Sequence, residues 1–381
     1  MTKGSNLPYR RLAVELGARV LVSEMVVARR LKQRRRGEFA LVRRAPGEPC
    51  FAVQLAGTNP DEMAWAAAVA EARGADFVDV NLGCPIDHFT RKGMGAALAR
   101  QPNRVAKIVR TMVAAVKVPV TVKIRLGWNA ASRNFLDVAR AAVDGGAAAI
   151  TVHGRTREAR YRHPADWAAI AEVAAAVAVP VVGNGDVLFP HEVHDGLAAS
   201  GCVAAMTARG ALIKPWIFTE ITRGYWDITA EERVDIYRRY VALAREHWGR
   251  PPAAGEAPTD AEAAGEGPID ADPEGGAPTR AEPEGEARVL DDHGRTRLRE
   301  FLRWHVGFWC RYAPRRSDGT WPTMQARESQ FVPRSPLEAL LARADDPALD
   351  YVTDALLDDA PHDHPPAPAA LVADEDVVEA G

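Results

Sequence analysis

Between Arg19 and Gly210, short β-branched runs alternate with Ala-rich stretches whose apolar positions recur at helical spacing. The runs are RVLVSEMV, CFAVQLAG, FVDVNLGC, PVTVKIRLG, AAAITVHGR, PVVGNGDV and CVAAMTARG, which predict seven strands. Stretches such as DEMAWAAAVAEARG from Asp61 and ADWAAIAEVAAAV from Ala165 are the predicted helices between them. Alternation of this kind implies a parallel sheet covered by helices. After Lys214 the pattern turns purely helical, with long amphipathic stretches from Ala230 and from Arg295. The chain therefore divides into an α/β domain over 1–224 and a helical domain over 225–358, with a linker at 251–292 and an acidic tail at 359–381. From Pro251 to Glu286 there is almost no large apolar residue, so that stretch cannot offset its ordering entropy and is expected to be disordered.

Side chains alternate faces along a strand, and the runs sort accordingly. Opposite the apolar face of CFAVQLAG lies Gln54; opposite that of FVDVNLGC lie Asp79 and Asn81; PVTVKIRLG offers Lys123 and AAAITVHGR offers His153. In a closed parallel barrel that direction is the interior, and near strand C-termini it is the active-site mouth. An open sheet with helices on both faces would make Lys123 a costly buried charge. The predicted fold is thus a TIM (β/α)8 barrel followed by a C-terminal helical domain. GNGD from Gly183 and ARGALIKPWIF from Ala208 add a phosphate site, the second through an arginine at a helix N-terminus. These parts suggest a phosphorylated planar cofactor lying across the mouth.

Composition narrows the class. The 381 residues carry a formal net charge of -3, and the longest apolar runs, such as AAAVKVPVTV near Ala114, are broken by Lys or Pro well short of the roughly 20 residues of a membrane helix. A cytoplasmic protein acting as a monomer, without metal or membrane partner, is expected. Cys50, Cys84, Cys202 and Cys310 form no CxxC pair, so neither zinc nor a disulfide framework is indicated. Three of them read as small buried hydrophobes, whereas Cys84 ends a strand between a glycine and a proline. The modest net charge hides basic runs at Arg29 to Arg44 and at Arg295 to Arg316.

The ordered set NLGCP, GxGAALxR, VKIRLG, VHGRTRExxY with ADW, VVGNGD and ARGALIKPWIF, spanning Met1 to about Phe218, resembles the tRNA-dihydrouridine synthase family. The tail, RxFLRWHxxFWCRYxP with PTMQARE, is similar to the family's third, mainly eukaryotic subgroup. The resemblance implies an FMN-dependent barrel, NADPH as electron donor and tRNA as partner. By the same resemblance Gln54, Lys123 and His153 hold the flavin ring, Asn184, Gly185, Asp186, Ala208 and Arg209 hold ribityl and phosphate, and Cys84 is the proton donor. At Ala208 the family usually has glycine, which is a departure. For the tRNA, Asn81 and the loop residues Arg155, Arg157, Arg160 and Arg162 are expected contacts, and Arg295, Arg299 and Arg303 form a basic stripe at i, i+4 spacing. Rival readings are an FMN barrel acting on a free pyrimidine and a flavin-free RNA-binding barrel. The opening MTKGSNLPYRRLAVELGA reads as the loop and helix that follow a strand, so the first barrel strand is expected upstream. Met1 and Thr2 would then end the Ala-Pro-Met motif that touches the cofactor.

Overall fold

Alternating apolar and polar positions produce parallel strands in the order the pattern predicts. The computed structural model describes residues 4–249, 288–324, 331–362 and 365–367; the cofactor positions Met1 and Thr2 lie outside them. The strands are β1 (Leu21–Val22), β2 (Val26–Val27), β3 (Phe51–Ala56), β4 (Phe77–Leu82), β5 (Val120–Arg125), β6 (Ala149–His153), β7 (Val181–Asn184) and β8 (Ala204–Met206). Their order in the sheet is β1-β3-β4-β5-β6-β7-β8, with β2 also on β3. The run RVLVSEMV is split into β1 and β2 because the Ser23 hydroxyl accepts from the Gln54 N–H (3.1 Å) and donates to the Glu24 carbonyl (2.7 Å), interrupting the ladder.

Helices follow the strands: α1 (Leu7–Glu15), α2 (Ala28–Lys32), α3 (Arg36–Leu41), α4 (Pro60–Ala72), α5 (Asp87–Thr90), α6 (Pro102–Ala115), α7 (Phe135–Asp144), α8 (Trp167–Ala176), α9 (Pro190–Ser200) and α10 (Arg209–Ile213). Beyond them come α11 (Ile217–Arg223), α12 (Ala230–Trp248), α13 (Asp292–Trp309), α14 (Pro336–Leu341) and α15 (Asp346–Asp358). Strict sequence order, with no reversal of direction, is the arrangement of a (β/α)8 barrel and not of a doubly wound sheet. Among the described residues β8 and β1 do not pair with each other, and Val203 and Val20 beside these two edges are 66% and 60% exposed.

The apolar strand faces are fully buried against the helices: Val53, Leu55, Val80, Val122, Ile124 and Val152 pack with residues of α4, α6 and α7. That burial commits the opposite, polar face to the interior.

The helical part is not independent of the barrel. Tyr9 and Leu12 of α1 and Leu212 of α10 share one apolar cluster with Tyr237 and Tyr240 of α12 and Leu298 and Leu302 of α13. Asn6, the N-cap of α1, donates from Nδ2 to the Tyr240 hydroxyl at 3.1 Å. Trp309 stacks flat on Tyr237 at 3.8 Å, so the aromatic residues of α13 are packing groups. Most of the expected 251–292 linker lies outside the described residues, but Asp291 caps α13 and Asp292 begins it. The expected tail is held at its start, where Arg343 donates to the carbonyls of Pro366 (2.6 Å) and Ala367 (3.2 Å).

His305 sits at the centre of this shared core, stacked on Tyr9 at 5.0 Å, with no hydrogen-bond partner for either ring nitrogen. Burial alone pushes its pKa down to about 3. The folded protein therefore keeps His305 neutral where the unfolded chain protonates, near pH 6.5, so its contribution is present above that value and is lost as pH falls toward about 3. Stability measured by urea unfolding is expected to fall by about 1 kcal/mol per pH unit below pH 6.5 on account of this group. His305→Phe should flatten the profile without abolishing it, because His247, pushed down to about 4 by burial and nearby arginines, stays in place. An unchanged profile in His305→Phe would contradict this assignment.

Candidate active site

On the polar face two hydrogen-bonded groups stand side by side, set there by the strand register. Parallel register sets Gln54 beside Asp79, Asn81 beside Lys123, and His153 beside Asn184. Gln54 donates from Nε2 to Asp79 (2.8 Å) and accepts from Asn81 Nδ2 (2.7 Å), while Thr121 donates to the other Asp79 oxygen (2.7 Å). Lys123 Nζ donates to Asn184 Oδ1 at 2.8 Å, and Asn184 Nδ2 donates to the Met206 carbonyl at 2.8 Å. Buried surroundings, reinforced by the Arg125 guanidinium, push the Lys123 pKa down to about 7 against the opposing pull of Asp79. His153 is held well below its ordinary value by burial and then by Arg125, Lys123, Arg155 and Arg209, so it is neutral at physiological pH.

Cys84 stands on a turn tied down from three sides. Asn81 Oδ1 accepts the Cys84 N–H at 2.9 Å and the Gly83 N–H at 3.2 Å. Arg125 Nε donates to the Gly83 carbonyl at 2.8 Å, and the Cys84 carbonyl accepts from Ala96 N–H at 3.1 Å. The third side is Gly95, whose φ of +58° and close approach require glycine: a Cβ there would lie 2.9 Å from Cys84 Cβ. Burial pushes the thiol pKa up, against weaker opposing contributions from a backbone hydrogen bond at Ile86 and from Arg125. The thiol is therefore protonated at neutral pH.

On the far side of the mouth, Arg155 donates from Nη2 to both Asp186 oxygens (2.6 and 2.5 Å), and Asp186 also accepts from Ala165 N–H at 2.7 Å. Arg209 lies 3.8 Å from Asp186 and, over its ring, 3.8 Å from the centroid of Tyr161. Gly185 (φ +129°) is closely packed, and a Cβ there would clash, lying 2.6 Å from Ala165 Cβ and 3.3 Å from the His153 ring. Ala208 has a negative φ of −134°, so the alanine found where glycine is usual is not forced into the left-handed region.

The residues expected to meet the tRNA stand with the following surroundings in the fold. Asn81, expected to meet substrate, is buried and engaged with Gln54 and the cysteine turn. Arg155, expected on the RNA, is 2% exposed and bonded to Asp186. Arg157 is half-buried, donates to the Pro85 carbonyl (3.2 Å), pairs with Asp87 and covers Trp128 at 4.6 Å. Arg160 is half-buried with φ +43°, while Arg162 is exposed. Arg295, Arg299 and Arg303 lie remote in sequence from this network and pair with α15: Arg295 with Asp358, Arg299 with Asp354 and Asp350, Arg303 with Asp350 and Asp346. The stripe is thus the seam between α13 and α15. Arg125 was missed by sequence reasoning, although it stands two residues from Lys123 and so shares its face.

A network of amide, amine and neutral imidazole groups beside a protonated thiol suits proton delivery next to a bound planar ring. Comparison with known proteins bears on this. A family model described as dihydrouridine synthase (Dus) matches residues 1–251. A protein from Cryptococcus neoformans var. neoformans serotype D (strain B-3501A), named tRNA-dihydrouridine(47) synthase [NAD(P)(+)], is 42% identical over 267 residues, covering 65% of this chain and 37% of that protein. A Homo sapiens protein, named tRNA-dihydrouridine(47) synthase [NAD(P)(+)]-like, is 43% identical over 256 residues, covering 65% of this chain and 39% of its own length. The chain thus spans less than two fifths of these relatives. The matched segment contains every strand of the sheet together with the cysteine turn and the Lys123–Asn184 network, and by it the chain belongs to the dihydrouridine synthase family.

Proposed function

We propose that this chain is an FMN-dependent tRNA-dihydrouridine synthase that saturates the C5–C6 bond of a tRNA uridine, with NAD(P)H as reductant. The position we propose is the 47 of its relatives' names. The observation that carries the reading is one face of the sheet bringing Gln54, Lys123, His153 and Asn184 together beside the turn that holds Cys84.

The residues fit the flavin chemically. Gln54, Lys123 and His153 would hold the ring, and Asn184 to Asp186 with Ala208 and Arg209 the ribityl phosphate. The excess of guanidinium over carboxylate at Arg155, Arg209 and Asp186 suits an anionic chain there. Reduced flavin, when bound, supplies the hydride to C6 of uracil. Lys123, with a pKa near 7, takes up a proton when an anionic group binds beside it. Cys84 Sγ donates the second hydrogen, as a proton, to C5. Asn81, Arg125 and Gly95 fix where that thiol stands. A base reaches it only when extruded from the RNA.

Mapping dihydrouridine in tRNA from a deletion strain and its parent tests this reading: loss at position 47 alone is expected, and an unaltered map would overturn it. The α13–α15 seam gives a separate expectation. Replacing Arg295, Arg299 and Arg303 with alanine should lower stability to urea by about 1 kcal/mol, in keeping with exposed ion pairs. The salt dependence of tRNA binding should stay as it is in the unaltered protein. A flattened salt slope in that triple variant would restore the stripe as an RNA surface.

A further inference from the structure

One strongly charged surface takes no part in the site described. From Arg29 to Arg44 the chain carries eight basic residues and a single acid, Glu38. The fold turns this run into a fixed, one-sided surface. Ala28 and Leu31 of α2, with Val42 after α3, are fully buried, and α2 packs on α4. Arg29, Arg30, Lys32, Arg34, Arg35 and Arg36 are all exposed. Among the described residues, Arg30 alone of these six has an acidic partner, Glu38 at 3.6 Å. That carboxylate is itself turned inward, accepting from the Val27 N–H at 2.7 Å.

A run of charges is ordinarily a solvated face. Here the comparison within the same molecule argues otherwise. Along α13 every arginine of the stripe meets an aspartate of α15, so there a cluster of cations is matched by an opposing acidic ladder. On α2 and the turn after it, like charges crowd together with only the Arg30–Glu38 contact to relieve them among the described residues, which is unfavourable in the free protein. The surface also adjoins the mouth. Val27, the residue before α2, pairs with Ala56 at the C-terminal end of β3 and packs with Met94 and Phe89. Met94 precedes Gly95, which presses on Cys84, and Arg91 and Lys92 stand exposed next to Phe89.

We propose that the α2–α3 surface is where the RNA phosphate backbone docks beside the mouth, with Arg29, Lys32, Arg35 and Arg36 as phosphate contacts. This rests on the reading of the site as one that acts on tRNA. Polyanionic RNA fits better than a membrane, because none of the exposed large apolar side chains among the described residues falls between Ala28 and Arg43.

The test is tRNA binding over a range of salt concentrations by the full chain, by Arg29→Gln/Lys32→Gln/Arg35→Gln, and by a matched triple on other helices and their flanks, Lys107→Gln/Lys117→Gln/Arg140→Gln. Melting temperature and flavin content serve as folding controls. The α2 triple should bind roughly 10-fold or more weakly near physiological salt, with its log–log salt slope reduced by about 2, and the matched triple should match the unaltered protein. An unaltered chain that binds tRNA together with an α2 triple of the same affinity and slope would overturn this inference alone. An unaltered chain that does not bind tRNA would overturn the proposed function as well. A triple that keeps tRNA affinity but loses binding to phosphatidylserine vesicles would reassign the surface to a membrane.

Discussion

Cys84→Ala will lower dihydrouridine formation by about 10²- to 10⁴-fold, the range for losing a positioned general acid, while the protein still binds flavin and is reduced by NADPH. The turn that carries the thiol is held through backbone atoms, by Asn81 at the Cys84 N–H and by Arg125 at the Gly83 carbonyl. Alanine keeps those bonds and the Cβ that fits against Gly95, so only the thiol is removed. The pH profile follows from the same burial. A thiol whose pKa is raised keeps its proton to higher pH, so turnover in the unaltered protein should hold through the ordinary thiol range near 8.5 and decline only above it. Measuring single-turnover rates from pH 7 upward checks the sign; a decline centred below 8.5 would contradict it.

The largest expected effect on stability comes from Lys214 and Glu220, whose side chains are fully buried and paired with each other. Lys214 Nζ also lies 4.2 Å from the Phe189 ring centroid, and Glu220 accepts from the Trp226 N–H at 3.4 Å. Burial pushes Lys214 down to about 8 and Glu220 up, so each charge depends on the other to stay ionised. Lys214→Ala leaves a carboxylate buried without its cation and should cost about 3–5 kcal/mol, a drop in Tm on the order of 10 °C. Lys214→Met with Glu220→Leu should recover most of that loss, since an apolar pair of similar volume carries no desolvation cost. A single variant as stable as the unaltered chain would show that water reaches the pair. The pair joins the C-cap of α10, on the side proposed to hold the flavin phosphate, to α11, so flavin affinity should fall with stability in the single variant and return in the double.

How much of this was legible in the sequence varied with the kind of signal. Period-two alternation placed Gln54, Lys123 and His153 on one face, and the parallel register put them there. The same rule reaches Arg125, but its role appears only when the Gly83 carbonyl is brought beside it, a contact between residues 42 apart. Charge was legible and its partner was not. Arg155 reads like a surface arginine until Asp186 is folded against it. Arg295, Arg299 and Arg303 have a matching ladder of Asp346, Asp350, Asp354 and Asp358 in the chain, yet nothing local says that the two helices lie side by side. The break between β1 and β2 depends on a hydroxyl substituting for a ladder bond, which alternation does not encode.

The proposed reaction adds a hydride from reduced flavin and a proton from Cys84 to a uridine held within tRNA. Its most direct measurement mixes anaerobically reduced flavoprotein with an unmodified tRNA transcript and follows flavin absorbance together with the mass of the tRNA. The account predicts that oxidised flavin returns in step with a gain of two hydrogen atoms on one uridine, and that free uridine or uridine monophosphate produces neither change. Reoxidation without that gain in mass, or equal reaction with the free nucleotide, would contradict it.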